Sequence, residues 1–213
     1  MQLIGMLDSP YVRRVAISLQ LLGLPFEHRS ISVFRGVDEF KRINPVVKAP
    51  SLVCDDGEVL MDSTLILDYA EALAAGRKSL MPSDVAARQH ALHTLGLALA
   101  ACEKAVQIVY ERALRPPEKR HEPWVTRVTG QLNEALRALN ARFAQRPQVP
   151  ASATIDQAGL SAAVAWQFTH LTLPTVVAAA DFPALHAYTL QAESLPEFQA
   201  APRGEGTYRA RSP

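Results

Sequence analysis

The sequence has few cysteines, no clear excess of either charge and no long apolar run, and each absence excludes a class of protein. Its two cysteines, Cys54 and Cys102, are too few for a disulfide framework. Their separation fits neither a metal site nor a CxxC redox pair. We therefore expect both thiols to be reduced and largely buried in a cytoplasmic protein.

The charges nearly cancel, because 22 basic and 21 acidic side chains leave a formal net charge of +1. Such a balance gives no general attraction to nucleic acid or to an anionic membrane. No apolar run approaches the ~18 residues of a membrane span, and the N-terminus lacks the pattern of a secretory signal. We expect a cytoplasmic protein with no nucleic-acid and no membrane partner.

The pattern of apolar residues along the sequence changes near residues 75–84. Before this point, short apolar runs alternate with helical periodicity in the order βαβ, helix, ββα. The predicted strands are 2–6, 26–32, 51–54 and 59–61, and the predicted helices are 10–22, 37–43 and 63–73. This order is a thioredoxin-like arrangement, which we place in residues 1–76.

The second part is helical throughout, so the predicted fold class is α+β with an all-α C-terminal bundle. A long helix is predicted to begin near Asp84 and to be stopped by Pro116-Pro117. Two more helices are predicted near 124–144 and 156–169, and the last is apolar enough to be the central buried helix. The long helix should bury a stripe that contains Leu92, Leu95, Leu99, Cys102, Val106, Val109 and Ala113. We assign residues 84–201 to this domain and predict a loose tail at 202–213, which is rich in Arg and Gly.

Ser9 precedes Pro10 at the start of the first predicted helix, where a serine commonly caps the helix. A second role is compatible with capping. A helix N-terminus favours an anion, and the Ser9 hydroxyl could donate a hydrogen bond to a ligand thiolate there. The segment lacks the GxSxG pattern of a serine hydrolase.

Two other segments carry polar or constrained residues at element boundaries. Ala49 and Pro50 lead into a strand, and an ordinary trans peptide is the expectation from the residues alone. Asp62 and Ser63 begin a helix, where they can cap it or bind the charged ends of an amino acid. In a thioredoxin-like domain, these two segments and Ser9 face one cleft.

Three motifs together resemble the cytosolic glutathione S-transferase family. SPYVRRV at Ser9 is similar to the active-site segment of its serine-type classes, and NPVVKAP at 44–50 is similar to its NPxGKVP segment. DSTLILDYAE at 62–71 is similar to the family segment that begins with Glu-Ser. The resemblance covers the N-terminal domain, and the helical part has the family's length and order.

The resemblance implies that glutathione binds as co-substrate, without a metal, and that Ser9 stabilises its thiolate. It implies a cis Ala49-Pro50 bond, with the Ala49 backbone paired to the cysteinyl part of glutathione. Asp62 and Ser63 would hold the γ-glutamyl end. Lys48 would lie near the glycine carboxylate, with Arg35 a weaker candidate there, whereas Arg13 should lie on a solvated helix face.

Two departures from the family pattern affect local structure. Val47 replaces the usual glycine, so the loop should differ in shape if that position needs a positive φ. Ala153 occupies the usual cap position of the family's sixth helix, three residues before Asp156. We expect the cap to shift or the helix start to weaken.

The leading hypothesis is a glutathione transferase that acts in detoxification, as a homodimer, on a small hydrophobic electrophile. A glutathione-dependent isomerase, dehalogenase or reductase is the first alternative, although serine at position 9 argues against a mixed protein disulfide. A non-catalytic interaction module is the second alternative. His90 and His93 lack a third nearby ligand, so we expect no metal site.

Overall fold

The four strands of the first unit form one mixed sheet in the order β2-β1-β3-β4. The computed structural model describes residues 1–76, 78–145 and 149–209, and the first unit comprises Met1–Met81 and Ser194–Pro213. Strands β1 and β2 are parallel, whereas β1 with β3 and β3 with β4 are antiparallel. The strands are β1 (Gln2–Ile4), β2 (Glu27–Arg29), β3 (Ser51–Val53) and β4 (Val59–Met61).

Three helices of this unit follow the predicted order and positions. They are α1 (Pro10–Leu21), α2 (Val37–Ile43) and α3 (Ser63–Leu73). Pro10 occupies the first turn of α1, where its missing N–H costs no helical hydrogen bond. Gly23 follows the helix with φ +69, a conformation that favours glycine and ends the helix. The thioredoxin-like arrangement predicted from the sequence is therefore confirmed.

The second unit, Pro82–Glu193, is helical as predicted, but it ends before the predicted boundary at 201, because the chain from Ser194 onwards belongs to the first unit. Its helices are α4 (Val85–Ala113), α5 (Glu122–Gln145), α6 (Gln157–Thr172) and α7 (Pro183–Glu193). Nearly every residue of α6 from Gln157 to Thr169 is buried, which confirms its predicted central place. Asp156 caps α6 by accepting a hydrogen bond from the Gly159 N–H at 2.7 Å, so the cap has shifted from Ala153 to Asp156.

The buried face of α4 differs from the predicted stripe of large residues. Leu95 and Cys102 are buried as predicted, but Leu92 is 51% exposed and Ala113 is also exposed, and Leu99, Val106 and Val109 are only partly buried. The buried positions are mainly small residues, namely Ala91, Thr94, Ala98, Ala101, Cys102 and Ala105, together with Leu95, Ile108 and Glu111. Small side chains let α4 pack closely on α5 and α6, so most of the larger residues of the predicted stripe lie beside this contact rather than within it.

Helix α4 is also long and apolar enough, by length and composition alone, to cross a membrane, which the sequence analysis did not anticipate. Its most apolar window has a mean hydropathy of 1.3, and 39% of that window is buried in the structure. Core helices share this composition, so the property is weak evidence for a membrane span.

The C-terminal segment returns to the first unit through α8 (Pro196–Ala200) and then runs along the β2 side of the sheet. Tyr208 stacks on Phe26 with ring centroids 4.6 Å apart, and its backbone N–H donates to His28 Nδ1 at 2.9 Å. The Arg209 N–H donates to the Ala200 carbonyl at 2.9 Å. The prediction of a loose tail is therefore wrong for residues 202–209, because long-range contacts hold them, and 210–213 lie outside the described residues.

Candidate functional site

Three segments with predicted ligand contacts lie at one edge of the first unit's sheet. The strand register aligns one residue of each strand in a row there, namely Arg29, Ile4, Ser51 and Met61. Ser9 lies beyond the end of β1, Ala49 precedes β3, and Asp62 directly follows β4. Neighbouring strands are ~4.8 Å apart, so the four-strand row spans about 14 Å. The three strands that adjoin Ser9, Ala49 and Asp62 are neighbours and span about 10 Å by the same spacing, a distance that an extended tripeptide of about 10–11 Å can cover.

Ser9 caps α1 through a long hydrogen bond. Its backbone is extended, with φ −72 and ψ 124, and its Oγ accepts from the Val12 N–H at 3.4 Å. This distance is at the weak end for a hydrogen bond. Because Oγ acts here as an acceptor, the hydroxyl hydrogen is available to donate to a ligand at the positive end of α1.

Gly5 brings the start of α1 and the loop before β3 close together. A Cβ at this position would lie 2.7 Å from Val12 Cγ2 and 3.0 Å from Ala49 Cβ. Gly5 also has φ +132, which disfavours any other residue. The missing side chain therefore allows Ala49 to approach the Ser9 end of α1.

Asn44 and Ser51 brace the loop that carries Lys48 and Ala49. Asn44 Nδ2 donates to Ser51 Oγ at 2.8 Å, and Ser51 Oγ donates to the Lys48 carbonyl at 2.8 Å. Both side chains are buried, although the sequence analysis assigned neither a role. The motif NPVVKAP contains Asn44, but nothing in the residue pattern identifies Ser51.

The loop before β3 contains the two positions where the sequence suggested unusual backbone geometry, the Ala49-Pro50 bond and Val47. Ala49-Pro50 is cis, as the family resemblance implied. Val47 has φ 54, so the position where the family usually has glycine does adopt a positive φ here. A β-branched residue is unfavourable in this conformation, and the surrounding structure holds it there.

Asp62 and Ser63 lie at the start of α3, with Lys48 beside them. Asp62 has φ 71, and its Oδ1 accepts from the Thr64 N–H at 2.9 Å. Its Oδ2 lies 3.5 Å from Lys48 Nζ, and both side chains are about half exposed. An exposed ion pair of this kind is weak, so ligand charges can compete for either partner.

Arg14 lies behind Ser63 and is the main site residue that the sequence analysis missed. Its side chain is buried, and Nη1 donates to Ser63 Oγ at 2.9 Å and more weakly to Thr64 Oγ1 at 3.4 Å. Since Ser63 Oγ accepts from a guanidinium, its own hydrogen can be donated to an acceptor such as a carboxylate. Helical periodicity gives no sign of this contact between α1 and α3.

Arg13 is buried rather than solvated, which corrects the sequence-based expectation. Its Nε donates to the Ala201 carbonyl at 2.8 Å, and Nη2 donates to the Phe198 carbonyl at 3.3 Å. The guanidinium carbon also lies 5.5 Å from the centre of the Phe198 ring. Arg13 therefore attaches the C-terminal segment to α1.

The remaining candidate groups are placed as follows. Both cysteines are buried, as predicted. His93 Nδ1 lies 3.1 Å from Arg142 Nη1, so this ring nitrogen has a protein partner. Within residues 1–76, 78–145 and 149–209, no three His, Cys, Asp or Glu side chains are grouped to hold a metal ion.

Comparisons with known proteins point to one family. The family described as glutathione S-transferase, N-terminal domain, matches residues 3–78. Among curated proteins, the chain is 28% identical over 139 residues to the uncharacterized GST-like protein YibF of Escherichia coli K12, covering 65% of this chain and 68% of YibF. It is 28% identical to glutathione transferase GST 23 of Zea mays, over 51% of this chain and 49% of that protein.

Solved structures extend the similarity over nearly the whole chain. A glutathione transferase family member from Pseudomonas fluorescens Pf-5, with bound S-(propanoic acid)-glutathione, is 30% identical with a TM-score of 0.77. That match covers 94% of this chain and 98% of the Pseudomonas chain. A glutathione S-transferase from Methylobacterium radiotolerans, with glutathione sulfonate, has a TM-score of 0.84 at 23% identity, over 99% of this chain and 96% of the other. The chain therefore belongs to the cytosolic glutathione S-transferase family and is a glutathione transferase by class.

Proposed function

We propose that the first unit binds glutathione across the sheet edge and stabilises its thiolate for attack on a small hydrophobic electrophile. The observation that carries this proposal is the row of paired strand residues Ile4, Ser51 and Met61, because the chain leads from this row to Ser9, Ala49 and Asp62-Ser63. A ligand that spans the row can contact all three segments at once. Binding then positions the sulfur and lowers the entropic cost of the reaction.

The γ-glutamyl end is proposed to bind at the start of α3. Ser63 Oγ accepts from Arg14, so its hydroxyl hydrogen points to an acceptor, which the ligand carboxylate supplies. The N-terminus of α3 adds a favourable dipole for that charge. The ligand ammonium replaces Lys48 at the exposed Asp62 carboxylate, and the released lysine is free to meet a ligand carboxylate.

The cysteinyl part is proposed to pair with the Ala49 backbone like an added strand. This places the sulfur near Ser9, whose hydroxyl donates to the thiolate. The thiolate forms a carbon–sulfur bond with the electrophile, and the electron pair leaves with the leaving group or takes up a proton. Glutathione is therefore the nucleophile, and Ser9 stabilises its charged form rather than attacking the substrate itself.

The cysteine positions bear on the reductase alternative. A mixed disulfide requires an accessible protein thiol, but Cys54 is 7% and Cys102 is 3% exposed. Burial also raises the pKa of the Cys54 thiol, which further disfavours its thiolate. These observations support transfer, isomerisation or dehalogenation by bound glutathione over reduction through a protein thiol.

Calorimetric titration with glutathione tests the proposal. We expect the wild type to bind at or below millimolar glutathione, and Ser63→Ala to bind about tenfold more weakly, since a hydrogen bond to a charged group is lost. Ser79→Ala, an exposed serine of the same unit, is the matched control and should bind like the wild type. No binding by the wild type at millimolar glutathione would instead support the non-catalytic module.

The homodimer, the cytoplasmic location and a role in detoxification stay predictions from the family resemblance. A two-fold dimer is the common assembly of such proteins. Sedimentation of the purified chain at micromolar concentration measures the first of these directly. Turnover with a panel of hydrophobic electrophiles, measured by consumption of glutathione, tests the class of second substrate.

A further inference from the structure

The C-terminal segment places a carboxylate beside the functional edge of the first unit. Glu205 is attached at two points: its carbonyl accepts from Ser30 Oγ at 2.7 Å, and its Oε1 lies 2.5 Å from Arg35 Nη2. The stacking of Tyr208 on Phe26 and its hydrogen bond to His28 hold the next part of the segment. These contacts hold the segment around Glu205, so that its side chain lies beside Arg35.

Arg35 lies at the β2 end of the row of ligand segments. Arg35 follows β2, whereas Ser63 follows β4 at the opposite end of the sheet, and Ser9 lies between them after β1. Arg35 Nη2 is 4.0 Å from Met6 Sδ, and the Met6 carbonyl accepts from the Ser9 N–H at 3.2 Å. A ligand whose amino-terminal end is at Ser63 and whose sulfur is at Ser9 therefore extends its far end towards Arg35.

We propose that Glu205 is a specificity-determining residue, because its carboxylate already pairs with the Arg35 guanidinium. The carboxylate at the far end of the ligand would otherwise pair with that guanidinium. The inference rests on the proposed glutathione site. A ligand with an anionic far end must share or displace the Arg35–Glu205 ion pair, whereas a ligand with a neutral far end need not. Glu205 thus weakens the preference of the site for a free carboxylate at that end.

The exposure of the pair makes this competition possible. The Arg35 and Glu205 side chains are 67% and 69% exposed, so solvent and ligand can reach both. An exposed pair exchanges partners at little cost. The Ser32 Oγ accepts from the Arg35 backbone N–H at 3.1 Å. This bond holds the backbone of Arg35, while its guanidinium can pair with either carboxylate.

The test compares glutathione with its glycine ethyl ester by calorimetric titration of the full chain. Glu205→Gln keeps the shape of the side chain and removes its charge. We expect this variant to bind glutathione about two- to fivefold more tightly, the range that an exposed ion pair can carry, and to bind the ester unchanged. In an Arg35→Ala background, Glu205→Gln should give no gain with either ligand.

Glu27→Gln is the matched control, because Glu27 is an exposed carboxylate on β2 whose Oε2 accepts from Gln2 Nε2 at 2.9 Å, away from Arg35. It should leave both affinities unchanged. Unchanged or weaker glutathione binding by Glu205→Gln would overturn the inference and leave the proposed function intact. An equal gain for the ester would also overturn it. No binding of glutathione by the wild type would overturn both.

Discussion

Replacing Ser9 by alanine removes two contributions that differ in size and can be measured separately. The first is the helix cap. Loss of an N-cap side chain costs about 0.5–2 kcal/mol of stability. The hydrogen bond from the Val12 N–H is 3.4 Å long, so we expect a loss near the lower limit, about 0.5 kcal/mol. Urea unfolding of the ligand-free protein measures this contribution.

The second contribution is the proposed hydrogen bond to the glutathione thiolate. A hydrogen bond to a charged group contributes about 1.5–3 kcal/mol, and one pKa unit corresponds to about 1.4 kcal/mol. The pKa of bound glutathione should therefore rise by about one to two units in Ser9→Ala. The ultraviolet absorbance of the thiolate, followed against pH at saturating glutathione, measures that pKa.

Two further substitutions separate capping from donation. Ser9→Asp keeps a good cap but presents a charged acceptor, so stability should be retained while the pKa of bound glutathione rises. Ser9→Thr keeps the hydroxyl and should resemble the wild type in both measurements. An unchanged pKa in Ser9→Ala, or a low pKa in Ser9→Asp, would refute the assigned role of Ser9.

Two other predictions concern the first unit. Val47→Gly should raise the free energy of unfolding by about 1 kcal/mol, because glycine adopts the φ of 54 without strain; urea unfolding checks this, and a loss of stability would contradict it. Burial lowers the pKa of His28, whose Nδ1 accepts from the Tyr208 N–H. As the pH falls, His28 is therefore protonated at a higher pH in the unfolded chain than in the folded protein. The free energy of unfolding should then decrease as the pH drops below about 6.5. His28→Gln should show a shallower fall, and an unchanged slope would exclude His28 as its source.

Local chemistry along the chain determined the order of elements and the positions of the proposed ligand residues. Ser9 accepts a hydrogen bond from an otherwise unpaired N–H of the first turn of α1, and Pro10 has no N–H to satisfy. Asp55-Asp56-Gly57 supports the short connection between β3 and β4. These features depend on residues adjacent in sequence. A reading of neighbouring residues therefore predicts them, together with the thioredoxin-like arrangement that they build.

The tertiary structure alone decided which charged residues are buried and which partners they have. Arg13 meets a carbonyl 188 positions away, and Arg14 reaches Ser63 at a separation of 49. The tail is held by His28, 180 positions before Tyr208. Such contacts form only when the elements pack, and a guanidinium that becomes buried needs hydrogen-bond acceptors from distant segments. The sequence by itself therefore predicted that the three proposed ligand segments face one cleft, whereas packing decided that Arg14 contacts Ser63 and that Glu205 pairs with Arg35.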